Sequence, residues 1–456
     1  MTNNKDPGSA TLKFKVLDES RVLRFHWLLD TLASLGPFVD ALNEFGGAVA
    51  LSVLAIIFHL TPIETAITLG GYWIGVGIGA MVIGALSDMY GRRFIFVWDM
   101  LFVGIVAIAS ALVFNAIQFF ITRFLLGLVI GADYTAAVPL MSEYAPVHSR
   151  GRLLGYQKIW FITGHIVALG LGTALAFIPI IGPKSAWRFV FIAAAIPAFA
   201  LYFLRKSMPE SIRWAVLLGR KKEAEEANSM LRKYGLEVDL SNVNFEYKRL
   251  RFRDVYGEFF SRKNLRAVLY VFWVGTAYAL SVNLIAWMPY YLEQFHIAPT
   301  LSLLISFLSS FGNFAGIVLV TLTLDKLGRK TWGVLGLGLT SIPMLLLFFG
   351  VLYHVLTLPE ITALFAAYGF INVGAVGTLQ YVPAAEVTST RTRGLSVGWD
   401  KLWEFVMAEP AFMIYAILGT LYAPLFVAIF SIVAGIILYF LAIETTGKSL
   451  EEIAGE

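Results

Sequence analysis

The sequence predicts an all-α membrane protein: twelve transmembrane helices forming two six-helix, pseudo-symmetric halves. Three observations predict it. The 456 residues are 58% hydrophobic and only 14% charged, against about 25% charged in soluble domains. Twelve apolar runs are each long enough to cross a hydrocarbon core of about 30 Å. Segments of the first half also recur in the second at a near-constant offset, the mark of a duplicated unit.

The apolar runs lie near 28–58, 65–87, 94–114, 117–142, 153–179 and 187–205, then near 264–292, 300–324, 331–353, 359–385, 395–419 and 421–443. The expected organisation is a tail (1–27), a six-helix half (28–205), a linker (206–263), a second six-helix half (264–443) and a second tail (444–456). An even number of spans puts both termini on one side. The loops on that side hold Arg92, Arg93, Arg150, Arg152, Lys326, Arg329, Lys330, Arg391 and Arg393, and the linker has thirteen Lys/Arg. The opposite loops carry almost none, apart from Lys184 and Arg188 at one of them. The excess of positive charge marks the cytoplasmic side. The expectation is a plasma-membrane protein in contact with the lipid bilayer, with both termini cytoplasmic. Residues 1–27 lack the apolar core of a cleaved signal, so they read as a retained tail. SIRWAVLLGRKKEAEEANSMLRKYG in the linker reads as one or two amphipathic helices on the membrane surface. Basic loops beside a membrane record topology, so no nucleic-acid partner is expected.

Several function classes drop out. There is no cysteine, which excludes disulfides, thiolate metal sites and cysteine nucleophiles. The six histidines lack metal-ligand spacing, and no phosphate-binding loop supports ATP hydrolysis. The glycines of GVGIGAMVIG (75–84) lie inside the second span, where small residues let helices pack closely. No cofactor, no metal and no enzymatic activity are expected.

The internal repeat is the strongest signal. EYAPVHSRGRLLGYQK (143–158) aligns with EVTSTRTRGLSVGWDK (386–401) at an offset of 243. Glu143/Glu386, Arg150/Arg393, Gly151/Gly394, Gly155/Gly398 and Lys158/Lys401 are identical, and Tyr156/Trp399 is an aromatic pair. GALSDMYGRR (84–93) aligns with TLTLDKLGRK (321–330), matching Asp88 with Asp325. Two homologous halves with a site between them near midplane is a transporter plan.

These same residues carry a family resemblance. G-x-x-x-D-x-x-G-R-R at 84–93, RFLLGLVIGADY with SEYAPVHSRG around span 4, and PESIRW (209–214) resemble the signatures of the major facilitator superfamily. Within it they resemble the branch of sugar porters, phosphate:proton symporters, organic-ion carriers and aromatic-acid:proton symporters. The resemblance covers nearly the whole chain and implies a carrier working by alternating access. GADY (131–134) resembles the G-G-D-Y of phosphate:proton symporters, and Lys401 matches their span-11 lysine. Ala277 and Phe161 stand where that family has an Asp and a Gln, which speaks against inorganic phosphate. WMPYYLEQF (287–295) and FVDALNEF (38–45) resemble organic-acid carriers. The paired span-7 glutamines of sugar porters are absent; Asn283 is the one amide there.

Charges at depth single out the site, because burying them in hydrocarbon is costly. GWDKLWEFVMAEP (398–410) carries four. Counted from Arg393 at 1.5 Å per residue, Lys401 lies roughly 12 Å deep and Glu404 roughly 16 Å deep, while Glu409 nears the far surface. Asp400, Lys401 and Glu404 fall within about 100° of one helix face, so they read as a midplane cluster. Lys158 enters span 5 as Lys401 enters span 11, and the lysine pair suggests an anion site. The expected substrate contacts are Lys401, Lys158, Tyr134, Trp160, Trp273, Glu404, Asp400 and Asn283. Tyr278, Trp287, Tyr381, Trp399 and Trp403 are further aromatics of the same regions. Asp133, Asp40 and Glu44 are the expected proton carriers, with Arg123 as their cationic partner. Asp88, Arg92, Glu143, Arg150, Asp325, Arg329, Glu386 and Arg393 sit at helix ends on the basic face and are expected to latch the halves together. Each charge also has a plain reading as a permanent structural ion pair or interface anchor.

The function expected is proton-coupled symport of a small organic anion, such as a carboxylate, by a monomer whose partners are its substrate and protons. Alternatives are a sugar or polyol porter, an organic-cation or drug transporter, and a non-transporting receptor.

Overall fold

The computed structural model describes residues 14–455, except 177, 179, 242, 244, 248, 296 and 298. Residues 1–13 of the expected tail, and the side chains of Lys184, Trp287 and Glu409, lie outside the described residues. The apolar runs fold as membrane-length helices because hydrocarbon offers backbone groups no partner except the helix itself. Spans 1 to 6 are Arg24–Ile57, Pro62–Tyr90, Arg92–Ala111, Ala116–Tyr144, Arg150–Ala176 and Gly182–Arg205. Span 7 is two pieces, Leu265–Val282 and Leu284–Glu293, jointed at Asn283. Spans 8 and 9 are Pro299–Leu327 and Arg329–Leu352. Span 10 runs Leu358–Asn372, a π turn at Val373–Gly377, then Tyr381–Glu386. Spans 11 and 12 form one helical run, Arg393–Leu441, broken at Gly419 (φ 63°, ψ −169°). Only glycine tolerates that conformation.

Among the described residues, ten stretches are long and apolar enough to cross a membrane. Gly419 makes one of them cross twice, and Arg24–Ile57 completes the twelve. The predicted fold class is therefore the observed one. The same packing scheme appears twice. In the N-terminal half, span 1 packs on 5, 2 on 4 and 3 on 6; in the other, 7 packs on 11, 8 on 10 and 9 on 12. The halves meet where span 2 lies on span 11 and span 5 on span 8.

Spans 2 and 4 approach backbone to backbone. A Cβ added at Gly75 would strike the Phe124 carbonyl, and one at Gly127 the Tyr72 carbonyl. Without a hydrophobic force between helices in lipid, such small-residue contact is what binds them. On the basic-loop face, the linker forms short helices at Ile212–Leu217, Lys221–Arg232 and Phe252–Phe259, and the C-terminal tail forms one at Leu450–Ala454.

Candidate functional site

Seven spans from both halves converge on one central cavity. Asp40 and Glu44 come from span 1, Tyr134 from span 4, and Lys158 and Phe161 from span 5. Tyr278 and Asn283 come from span 7, Tyr381 from span 10, and Lys401 and Glu404 from span 11. Trp73, Phe405 and Ala408 complete the wall. The cavity measures about 20 Å³, room for about one water. Away from the basic face, Trp73 of span 2 stacks on Phe412 of span 11 with centroids 5.1 Å apart.

The two repeat-related lysines are in different electrostatic states. Lys401 Nζ lies 2.8 Å from Glu404 Oε2, three residues along the same helix. Its ammonium also sits 4.1 Å above the Tyr134 ring and 4.7 Å above Tyr381. Among the described residues, Lys158 Nζ donates only to neutral oxygens, Gln380 Oε1 at 3.1 Å and the Tyr278 hydroxyl at 3.3 Å. Aromatic faces of Phe161, Tyr278 and Tyr381 surround it at 4.2, 4.8 and 4.9 Å. Both lysines are buried. Among the described residues, no carboxylate pairs with Lys158.

The acids of span 1 sit across the cavity. The hydroxyls of Tyr72 and Tyr134 both donate to the Asp40 carboxylate. Arg123 lies over the Tyr72 ring, 4.2 Å from its centroid, and donates to the Asn43 carbonyl at 2.8 Å. Glu44 lines the cavity, and no ion pair involves it among the described residues.

Four expected site residues stand elsewhere, each for a geometric reason. Asp133 was expected with Arg123; it lies instead 2.7 Å from Arg205 Nη1, beside Asp99 at 3.3 Å from the same atom. Neighbouring helix residues point about 100° apart, so Tyr134 facing the cavity turns Asp133 away toward spans 1, 3 and 6. The same rotation separates Asp400 from Lys401. Asp400 packs against Gly275 of span 7, and neither of its carboxylate oxygens has a hydrogen-bond partner among the described residues. Trp160 is two residues, about 200°, from Lys158; it packs edge-on to Phe38 and Tyr156. Phe161, one position on, shares the lysine's face. Trp273 donates its indole N–H to the Ala434 carbonyl at 3.1 Å, packing span 7 on span 12.

The residues at the helix ends build two repeat-related networks across the interface between the halves. Asp88 accepts the N–H groups of Gly394 and Leu395, both at 2.9 Å, at the start of span 11. Asp325 accepts those of Gly151 and Arg152, at 2.9 and 2.8 Å, at the start of span 5. Each half therefore caps a helix of the other, satisfying N–H groups that have no partner within their own helix. Arg92 and Arg393 converge on Glu143 at 2.9 and 2.6 Å. Arg329 reaches Glu386 at 2.9 Å and Asp325 at 3.0 Å.

The symmetry fails at Arg150. The repeat would seat it on Glu386, as Arg393 sits on Glu143. It reaches instead Asp18 of the N-terminal tail at 3.4 Å and the Lys448 carbonyl of the C-terminal tail at 3.1 Å. Arg213 of the linker bonds both tails, Asp18 at 2.8 Å and Glu451. Burial pushes the Asp18 carboxyl up, against the pull of Arg213. For Glu451 burial acts the same way, but the Arg213 charge and hydrogen bond outweigh it and hold the carboxyl below its usual range. Two further carboxylates cap helix starts: Glu210 accepts the N–H groups of Arg92 and Arg93, and Glu444 those of Arg329 and Lys330.

Asp18, Arg205, Arg213, Glu451, Gln380 and Glu444 were absent from the sequence-derived site. Carrying the repeat past span 12 would have flagged Glu444, which stands to Arg329 as Glu210 stands to Arg92. Gln380 carries no sequence signal, because it becomes a lysine partner only through the course of span 10.

Comparisons with known proteins bear on the family and the fold. The sequence profile of the family described as sugar (and other) transporter matches residues 30–456. The niacin transporter NiaP of Acinetobacter baylyi is 27% identical, over 82% of this chain and 83% of that protein. A probable inorganic phosphate transporter 1-6 of Arabidopsis thaliana is 26% identical, over 99% and 97%. The structure of the proton:xylose symporter XylE bound to 6-bromo-6-deoxy-D-glucose superposes with a TM-score of 0.77 at 18% identity, covering 94% of this chain and 98% of that one. A partially occluded, inward-open form of XylE from E. coli gives 0.71 at 18% identity, covering 94% and 100%. At that identity the likeness establishes fold alone.

Proposed function

This chain belongs to the sugar (and other) transporter family, as a membrane carrier of the major facilitator type, and on that premise we propose that it performs proton-coupled symport of a small organic anion. The observation that carries the reading is the unequal state of the lysine pair. Lys401 has its counter-ion in Glu404. Lys158 is buried among neutral partners and ring faces. A buried cation is costly unless paired, and a substrate carboxylate would supply the missing charge. Lys158 therefore replaces Lys401 as the leading substrate contact. Two relatives support an anionic cargo by name, one for niacin and one for inorganic phosphate.

In this reading Glu44 and Asp40 take the proton. Both face the cavity that holds Lys158, so loading of substrate and proton are electrostatically linked. The interface networks of Asp88, Glu143, Asp325 and Glu386 serve as the latch that opens when the halves rock. The excess of basic residues in these loops supports a cytoplasmic latch and cytoplasmic termini, in a monomer of the plasma membrane.

The test is uptake into proteoliposomes under an imposed pH gradient, with small aromatic and aliphatic carboxylates, a sugar and a quaternary amine as cargoes. Carboxylate uptake is expected to follow the gradient, and Lys158→Gln to lower it by about tenfold or more, the effect of a contact worth about 1.4 kcal/mol. Uptake indifferent to pH removes the coupling, and full uptake by Lys158→Gln removes the anion site. A second reading rests on Glu44, which faces the same cavity with no ion pair among the described residues. It would suit a zwitterion bridging Glu44 and Lys158, and an amine requirement in the cargo screen distinguishes it.

A further inference from the structure

The wall between spans 9 and 12, on the outside of the bundle, carries an apolar groove of about 380 Å³. That is within the range of roughly 300–1,000 Å³ typical of small-molecule sites. Val334 and Gly338 form one side, and Gly435, Ile436 and Tyr439 the other. Two glycines shape it differently. At Gly435 a Cβ would stand 3.4 Å from Leu337 Cβ and 3.5 Å from the Val334 carbonyl, so the helices touch there. At Gly338 a Cβ would meet nothing within 4 Å. That position is an open slot facing the hydrocarbon.

One end of the groove is cationic. Lys330 Nζ sits 4.0 Å over the ring of Tyr439, itself a groove residue. Arg266 is exposed and donates to the carbonyls of Phe440, Leu441 and Ala442 at the end of span 12. The acid at this corner, Glu444, is occupied by the N–H groups of Arg329 and Lys330 at 3.1 and 3.0 Å. The Lys330 ammonium makes no ion pair among the described residues. Gly338 lies eight residues along span 9 from Lys330, roughly 12 Å deeper.

We propose that this groove binds an anionic phospholipid, with its phosphate on Lys330 beside Arg266 and one acyl chain running over Gly338. The apolar walls select hydrocarbon. The cations stand only at the end where a span meets the headgroup layer, and an ammonium is a good point-charge partner for phosphate.

Native mass spectrometry of the full chain in mixed micelles tests the site, with phosphatidylglycerol and phosphatidylcholine as probes. Wild type is expected to hold phosphatidylglycerol at least about fivefold tighter. Lys330→Gln is expected to erase that preference, and Gly338→Leu, which fills the slot, to weaken both lipids about fivefold or more. Equal retention of the two lipids by wild type, or unchanged retention by Gly338→Leu, overturns the proposal. A photoactivatable phosphatidylglycerol needs no variant: adducts concentrated on spans 9 and 12 support the site, and adducts spread evenly over the lipid-facing surface refute it.

Discussion

Arg393 Nη1 lies 2.6 Å from Glu143 Oε1, joining the C-terminal half of the molecule to the N-terminal half through two fully buried groups. Arg92 reaches the same oxygen at 2.9 Å. Glu143 is thus one acid between two cations. Glu143→Gln leaves both guanidiniums buried without it, and breaking such a pair costs roughly 3–5 kcal/mol. Much of that cost falls on the arrangement closed at the basic face. The chain has no cysteine, so Ser142→Cys at this interface gives a single reporter. Maleimide labelling is expected to be faster when Glu143→Gln is added. Equal labelling rates would show that Glu143 does not hold the face shut.

Lys401 and Glu404 form a self-contained pair, and removing one member strands the other. Lys401→Met alone is expected to lower stability by roughly 3–5 kcal/mol, while Lys401→Met with Glu404→Met together is expected to be near neutral. Thermal unfolding in detergent measures both. If the double variant is as unstable as the single one, the ion pair is not the unit that matters.

Arg213 is the point where linker, N-terminal tail and C-terminal tail meet. Arg213→Ala removes charged hydrogen bonds worth about 1.5–3 kcal/mol each. The tails can move into water, which limits the loss to the membrane bundle. Hydrogen exchange is therefore expected to rise at 15–18 and 450–454 together, with the spans unchanged. A rise in only one tail would mean the other is held by Arg150 alone.

Glu444 supplies the pH dependence. Burial pushes its carboxyl up, but bonds from the Thr446 hydroxyl and from the N–H groups of Lys330, Thr446 and Arg329 outweigh this and hold it below its ordinary value of 4.5. A depressed carboxyl stabilises the fold above its ordinary value, and the contribution is lost as pH falls through the lower folded value. Wild type is expected to lose melting temperature on acidification below about pH 4.5, and Glu444→Gln to lose less over that range because it lacks the contribution at any pH. Parallel curves for the two proteins would contradict the cap.

Much of the fold was legible because its causes are local. Apolar length gives the spans, and the duplicated sequence gives the two halves, since each repeat copy packs by the same contacts. The site was legible only in part. Depth along a helix can be counted, so Lys158, Lys401, Glu404, Asp40 and Glu44 were placed near the cavity. Rotation was harder to use without a known facing direction. Asp133 beside Tyr134, Asp400 beside Lys401 and Trp160 beside Phe161 each lost to a neighbour, because one residue's rotation of about 100° decides cavity or bundle.

By itself, the sequence determined a twelve-span, two-half carrier scaffold with repeat-related lysines near its midplane. The tertiary structure alone decided that, among the described residues, Lys401 pairs with a carboxylate and Lys158 with neutral oxygens. Glu404 reaches Lys401 along one helix, a local contact. Gln380 and Tyr278 reach Lys158 from two other helices, and Asp18 takes Arg150 from outside the bundle altogether. Side chains far apart in the chain settle these pairings, and burial makes each choice of partner an energetic one.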